Sequence, residues 1–331
     1  MNRADEQRLF EHAERSIAEG SKSFASAARL FAPATRRSAV LLYAWCRHCD
    51  DVIDGQQAGH DARPLAPDEA ARRLAQLRER TLAAYAEGPL DEPAFAAFQY
   101  VARRHGIRRR EAFDLLEGFA MDVQGQHYAC IEDTLRYCYH VAGVVGLMMA
   151  RIMGVRDEKV LDHACDLGLG MQLTNIARDI VDDAKLGRCY LPADWLAELG
   201  LAPERIASVE QRQGLAQVAR RLVELAEPYY ASAQSGMAAL PWRSAWAVAT
   251  AAEVYRRIGL KVVAAHEHAW TQRISTSRRD KLGASAVGLW RALSARLRRS
   301  PGRDPRLWQR PSRPGAADRH GASAAVPASD R

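Results

Sequence analysis

Apolar residues recur at three- and four-residue spacing along most of the chain, the period of a helix that buries one face. This pattern predicts helices at about 5–19, 34–54, 67–87, 93–105, 109–124, 132–153, 157–184, 211–238, 242–266 and 280–298. Pro33 and Thr35 suit the opening of the second helix, where a missing backbone N–H costs nothing. Gly154, Gly187 and Gly200 fall where helices should stop, in the left-handed position that glycine fills most readily. No alternating run of the strand type recurs and no fixed-period repeat is found, so the fold class is all-α. Nothing divides residues 1–298, which are expected to form one helical domain. Pro, Gly, Ser, Ala and Arg dominate 299–331, and the expectation there is a disordered tail.

Composition sharpens this in one respect. The 331 residues are 48% hydrophobic and 26% charged, ordinary values for a soluble protein with a sizeable core. The net charge of +7 is confined to the C-terminus: residues 291–331 hold ten Arg, no Lys, three Asp and no Glu. The remaining body is neutral, which argues against a nucleic-acid-binding domain. The longest apolar run, the ten residues 141–150, is half of what a membrane span needs. The first sixteen residues carry charges throughout, unlike a secretory signal. Six scattered Cys read as reduced thiols, and a cytoplasmic location follows as the expectation.

Two acidic clusters carry candidate chemistry. Asp50 and Asp54 are four residues apart, as are Asp179 and Asp183, so each pair lies one turn apart on one helix face. Like charges at that spacing repel and need compensation. The faces extend: Tyr43, Arg47, Asp50 and Asp54 on one helix, and Gln172, Asn175, Asp179 and Asp183 on the other. One acidic pair alone is ordinary surface decoration. Two polar ridges on otherwise apolar helices, facing each other, would hold hard divalent cations through oxygen, and Mg²⁺ suits few carboxylates with water and phosphate completing its shell.

These residues sit in segments that resemble the squalene/phytoene synthase family: GSKSF at 20–24, LYAWCRHCDDVID at 42–54, LEGFAMD at 116–122, YCYHVAGVVG at 137–146, QLTNIARDIVDDAKLGRCYLP at 172–192 and VYRRIG at 254–259. The likeness runs from about Ser16 to Trp308. It implies an isoprenoid synthase fold and the head-to-head condensation of two geranylgeranyl diphosphates, through prephytoene diphosphate, to 15-cis-phytoene, the entry to C40 carotenoids. It further implies Asp50, Asp54, Asn175, Asp179 and Asp183 as ligands of Mg²⁺, with Mn²⁺ as an alternative. Arg47, Arg178, Arg188, Gln172 and the Ser21-Lys22-Ser23 turn are implied to hold diphosphate. Phe24, Tyr43, Tyr137 and Tyr255 are implied to line the reaction cavity, where aromatic faces stabilise carbocations. Asp51 and Asp182 are weaker candidates.

No hydride enters this reaction, so no NADPH is expected, and Gly168-Leu169-Gly170 lacks the third glycine and the strand of a dinucleotide motif. Cys46-Arg47-His48-Cys49 has no second close Cys or His pair to make a zinc site. Ala142, Gly143 and Gly146 thin one helix and are expected to leave room for prenyl chains. An amphiphilic substrate and a hydrocarbon product imply a protein peripheral to the inner face of the membrane, passing its product to a downstream phytoene desaturase. The Arg-rich tail, with Leu307 and Trp308 as an apolar anchor, is the expected tether. Rival readings are a squalene or dehydrosqualene synthase using C15 donors, and a non-catalytic assembly protein that kept the fold.

Overall fold

In the computed structural model, residues 3–20, 25, 27–55, 66–297 and 302–311 are described. They form α1 (Arg3–Gly20), α2 (Pro33–Asp54), α3 (Pro67–Ala83), α4 (Pro93–His105), α5 (Arg109–Val123), α6 (Ile131–Cys138), α7 (Val144–Ile152), α8 (Glu158–Lys185), α9 (Ala193–Glu198), α10 (Arg212–Gly236), α11 (Trp242–Ala265) and α12 (Arg278–Ser294). No strand occurs among the described residues. Periodicity therefore located every long helix. It missed short α9 and a π-helical turn, Tyr139–Gly143, that joins α6 to α7.

Local chemistry sets the ends. Pro33 opens α2, and Gly55 closes it at φ 61°, with its N–H returning to the Asp51 carbonyl. Asp157 caps α8 by accepting the Lys159 N–H at 2.8 Å. Gly154, Gly187 and Gly200 all take positive φ, as their placement at helix ends predicts.

Helix α8 runs through the middle, packed by α7, α10 and α11. Its crossing with the α6–α7 segment is unusually close. A Cβ on Gly168 would run into the Ala142 carbonyl, and one on Gly146 into the Ala164 carbonyl. Gly143 likewise faces Leu169 and Cys165. Their missing side chains let two backbones touch, and Ala142 and Gly146 also line an apolar cavity, as expected, whereas Gly143 does not. A buried Glu111–Arg151 pair, Nε to oxygen at 2.7 and 2.9 Å, ties α5 to α7. Trp45 stacks on Phe98 with ring centroids 3.9 Å apart, joining α2 to α4.

The tail expectation fails for residues 302–311, which strap onto the body. Arg303 donates twice, each at 2.8 Å, to the fully buried Asp166 of α8. Arg310 reaches Asp162 at 2.5 Å and Glu158 at 2.8 Å, one and two turns earlier on the same face. Leu307 is buried. The Trp308 N–H donates to the Tyr229 hydroxyl at 3.3 Å, and its ring lies 5.5 Å from that of Tyr139. Composition alone predicted disorder because the partners of these arginines lie far upstream. Leu307 and Trp308 are thus anchored in the protein and cannot serve as an exposed membrane anchor.

Candidate active site

The two polar ridges meet across a cavity of about 640 Å³ lined by Tyr43, Arg47 and Asp50 from α2 and by Gln172, Asn175 and Arg178 from α8. Arg47 donates to Asp50 and lies 3.7 Å from Asp51, while Tyr43 hydrogen-bonds Arg47. Arg188 follows Gly187, whose left-handed turn ends the chain's helical course after α8 and directs it back towards α2. Its guanidinium grips Asp54 through both terminal nitrogens. On the second ridge Arg178 Nε donates to Asp179 at 2.8 Å, and Asn175 Nδ2 donates to Gln172 Oε1 at 3.2 Å.

The electrostatics of the ridges are uneven. Burial, then repulsion from Asp54, pushes the Asp50 carboxyl up to about 7. Burial, then repulsion from Asp179, does the same to Asp183, also to about 7. Burial acts against Asp179 too, but its hydrogen bonds from Arg178 and Arg273 hold its carboxyl below the usual range. In the first pair both carboxylates meet an arginine, Asp50 with Arg47 and Asp54 with Arg188, while in the second Asp179 is held by Arg178 and Arg273 and the Asp183 carboxyl is pushed up by burial.

Two features bear on whether a cation suits this donor set. The Asn175 Oδ1 is buried without a hydrogen-bond partner on a residue that lines the cavity, and Asp50 lines the same space, whereas Asp54, Asp179 and Asp183 are not among its lining residues. Among the described residues no three His, Cys, Asp or Glu side chains converge on one point. A cation here would rest on carboxylates and the Asn oxygen, with diphosphate and water oxygens completing its shell, which is the habit of Mg²⁺. The residues fit that ion.

A second, apolar space of about 320 Å³ continues from the first. Val141, Val145, Gln172, Asn175 and Tyr255 line both. Beyond them the walls are Met149, Met153, Val160, Leu167 and Met171, with further residues of α11. Val141 belongs to the π-helical turn, a feature that recurs at functional sites, and the turn sets how Tyr137 and Val145 are presented on either side of it.

Other predicted residues distribute as follows. Tyr137 is buried and stacked on Tyr190 at 4.4 Å between centroids, at the edge of the polar cavity. Ser21, Lys22, Ser23 and Phe24 lie outside the described residues. Asp182 points to solvent and pairs with Lys185 at 3.0 Å, so it is surface decoration. Cys46 lines the cavity, and burial pushes its thiol up to about 12, leaving it inert.

Two residues that line the cavity escaped the sequence reading. Asp122 lines the polar cavity and accepts hydrogen bonds from Tyr190 at 2.9 Å and Tyr137 at 3.2 Å. Burial raises its carboxyl to about 6, against the pull of nearby Arg188. It ends the LEGFAMD segment, which was a signal without a role attached. Arg273, on the loop before α12, lies 3.3 Å from both oxygens of Asp179. Nothing in its local sequence marks it.

A helical fold with an acidic and arginine-rich mouth opening into an apolar slot defines a protein built for a ligand with a multiply charged head and a long hydrocarbon tail. The chain belongs to the squalene/phytoene synthase family, whose sequence model matches residues 17–280. A 15-cis-phytoene synthase of Pantoea ananas is 59% identical over 303 residues, covering 92% of this chain and 98% of that protein. A phytoene synthase of Pseudescherichia vulneris is 58% identical with the same coverage. A crystal structure of a dehydrosqualene synthase in complex with ligand superposes with a TM-score of 0.79 at 26% identity, covering 88% of this chain and 99% of that one.

Proposed function

We propose that this chain is a prenyltransferase, a 15-cis-phytoene synthase that joins two geranylgeranyl diphosphates head to head through prephytoene diphosphate. The observation that carries the reading is the continuity of the polar cavity with the apolar slot through Val141, Val145, Gln172, Asn175 and Tyr255. From Asn175 to Val160 the α8 wall of the slot runs about 22 Å at 1.5 Å per residue, so the roughly 18 Å of an extended C20 chain fits along it. The C20 donor is taken from the 15-cis-phytoene synthase of Pantoea ananas at 59% identity.

Arg47, Arg178, Arg188 and Arg273 surround the mouth and would bind diphosphate oxygens by charge-assisted hydrogen bonds. Asp50, Asp54, Asn175, Asp179 and Asp183 would hold Mg²⁺ or Mn²⁺, which neutralises diphosphate charge and promotes its departure. Those carboxylates currently shared with arginine would be released as the arginines turn to phosphate. The Tyr255 ring, at the junction of mouth and slot, is placed to face the allylic cation once the leaving group has gone. The apolar wall of Val141, Val145 and Met171 keeps water from that cation. Two diphosphates and two protons leave, one proton on forming the cyclopropyl intermediate and one after the second ionisation, and no hydride enters, so the reaction balances without NADPH.

Because the product is a C40 hydrocarbon, the enzyme works at a membrane surface, where a downstream phytoene desaturase would collect the product. No helix among the described residues is long and apolar enough to cross a membrane. The deciding experiment incubates the purified protein and Mg²⁺ with C15 and C20 diphosphates separately, with and without NADPH, and identifies products by mass. A C40 hydrocarbon from the C20 substrate without NADPH is the expected result. A C30 product made in preference, or a need for NADPH, would overturn the reading in favour of a squalene-type or dehydrosqualene-type reaction.

A further inference from the structure

Helix α12 buries the wrong-looking face. Its small residues Ala284, Gly288 and Ala292 pack against α11, and a Cβ on Gly288 would collide with Thr250. Its large apolar residues point outwards. Leu282, Trp290 and Leu293, with Leu297 in the turn that follows, are 72%, 59%, 53% and 89% exposed. With Ala286 they follow one another at steps of four, four, three and four, which is one continuous stripe along the helix. Single exposed leucines need no explanation, but an aligned stripe does.

The stripe widens at one end. Helix α12 runs antiparallel to α11: Arg257 donates to the Asp280 carbonyl at 3.1 Å near one end, and Arg296 to the Leu240 carbonyl at 3.1 Å near the other. This second contact brings the start of α11 beside the end of the stripe. There Trp242 is half exposed and stacked on Trp246 at 6.1 Å, with the Arg243 guanidinium 5.8 Å from its ring.

The rim is positive. Helix α12 and its following turn carry Arg278, Arg279, Lys281 and Arg296 against a single acid, Asp280, while Arg291 is taken up by the buried Glu253 at 3.2 Å. Asp280 is itself neutralised by Lys261 at 2.6 Å and used to cap the helix at Ser277. Arg278, Arg279, Arg243 and Arg296 are exposed. A second copy of the chain would bring these like charges together, so the face is ill suited to self-association. Tryptophan, leucine and arginine on one exposed helix face are instead the composition of an interfacial membrane helix, with the apolar side chains below the headgroups and the cations among them.

Position supports the same partner. The loop immediately before α12 contributes Arg273, Ile274, Ser275 and Thr276 to the wall of the polar cavity. Leu282, at the head of the stripe, also lines a groove of about 330 Å³ with Leu30, Val254, Arg278 and Lys281. The stripe therefore starts beside the cavity through which a prenyl diphosphate must enter.

We propose that the outer face of α12, extended by Trp242, is the surface by which this protein docks on an anionic lipid bilayer. Its purpose rests on the proposed prenyl chemistry, but the binding itself is measured without turnover. The test sediments the full-length protein with phosphatidylcholine vesicles and with vesicles containing phosphatidylglycerol. Leu282→Ser/Trp290→Ser/Leu293→Ser should weaken binding to the anionic vesicles at least about tenfold. Arg278→Gln/Arg279→Gln should weaken it at least about fivefold and only at low salt. Val209→Ser, a similarly exposed apolar site elsewhere, should bind as the unaltered chain does. Turnover of detergent-dispersed substrate and the thermal midpoint should be unchanged in all of them, because none of these side chains enters the cavity or core. Undiminished vesicle binding by the triple variant would overturn the proposal, as would the absence of vesicle binding by the unaltered protein. It would also be overturned if the triple variant changed the oligomeric state of the free protein and left vesicle binding intact.

Discussion

Replacing Arg303 by Ala should destabilise the protein by about 3–5 kcal/mol, the cost of leaving a buried charge without its partner. Asp166 is fully buried on α8 and receives two 2.8 Å hydrogen bonds from Arg303. Its remaining partner is the Ser232 hydroxyl, which donates at 2.5 Å while bonded to His163 at 2.8 Å. One hydroxyl cannot replace a bidentate guanidinium. The control is Arg306→Ala three residues later, whose partner Asp304 lies at the surface beside it and whose loss should leave stability essentially unchanged. Urea unfolding followed by circular dichroism compares the two, and for a chain of this size the larger loss should lower the thermal midpoint by roughly 5–10 °C. Arg303→Met combined with Asp166→Leu should recover much of the loss, since an apolar pair restores burial without a stranded charge. Equal stability of Arg303→Ala and Arg306→Ala would show that residues 302–311 are not part of the folded body.

Three further outcomes follow from the site and its surroundings. Asp50→Ala or Asp179→Ala should reduce turnover in Mg²⁺ more than about a hundredfold while far-ultraviolet circular dichroism stays unchanged; near-normal turnover in both would dismiss the two ridges as the diphosphate site. Tyr255→Phe keeps the ring and should retain far more activity than Tyr255→Ala, whereas equal loss in steady-state assays would assign the role to the hydroxyl. Arg310 and Arg108 overcome the cost of burial and hold the Glu158 carboxyl down at about 2, below its unfolded value, so this group stabilises the fold above roughly pH 4.5 and the benefit fades as pH falls through about 2. The stability gap between the unaltered chain and Glu158→Gln should accordingly be small but present at neutral pH, since Glu158 is largely solvated, should narrow as pH falls below about 4.5 and should be gone near pH 2; a gap that widens in acid would contradict the assignment.

What the sequence made legible was what helix periodicity encodes. Asp50 and Asp54, or Gln172 through Asp183, share a face because each lies three or four residues from the next, and that needs no tertiary information. Arg188 could be connected to Asp54 only by family resemblance, since 134 residues separate them. Asp122 and Arg273 stayed unassigned for the same reason: each gains its meaning from a partner on another element. Periodicity also left one question open in α12. Leu282, Trp290 and Leu293 have the spacing of a buried face, but Ala284, Gly288 and Ala292 have it too, a quarter-turn or more away. Close packing on α11 selects the small residues for the interior, and the large ones are left outside. The arginines of 302–311 misled for a different reason, because composition weighs residues without regard to the carboxylates they will meet.

Helix α8 explains why a strap on one side of the molecule matters to a site on the other. At 28 residues it is about 42 Å long. Its C-terminal half carries Gln172, Asn175 and Arg178 into the wall of the polar cavity, and Val160, Leu167 and Met171 of its N-terminal half wall the slot. Glu158, Asp162 and Asp166, on another face of that half, are where Arg310 and Arg303 attach. The distance from the charged mouth to the end of the slot is therefore set along one rigid element, and a shift of α8 along its axis would move both together. A one-residue slip, about 1.5 Å, would also break the close crossing in which Gly146 and Gly168 meet opposing carbonyls. The glycine contacts hold the middle of the helix and the arginine strap holds its beginning. Together they fix the register between the polar cavity and the apolar slot.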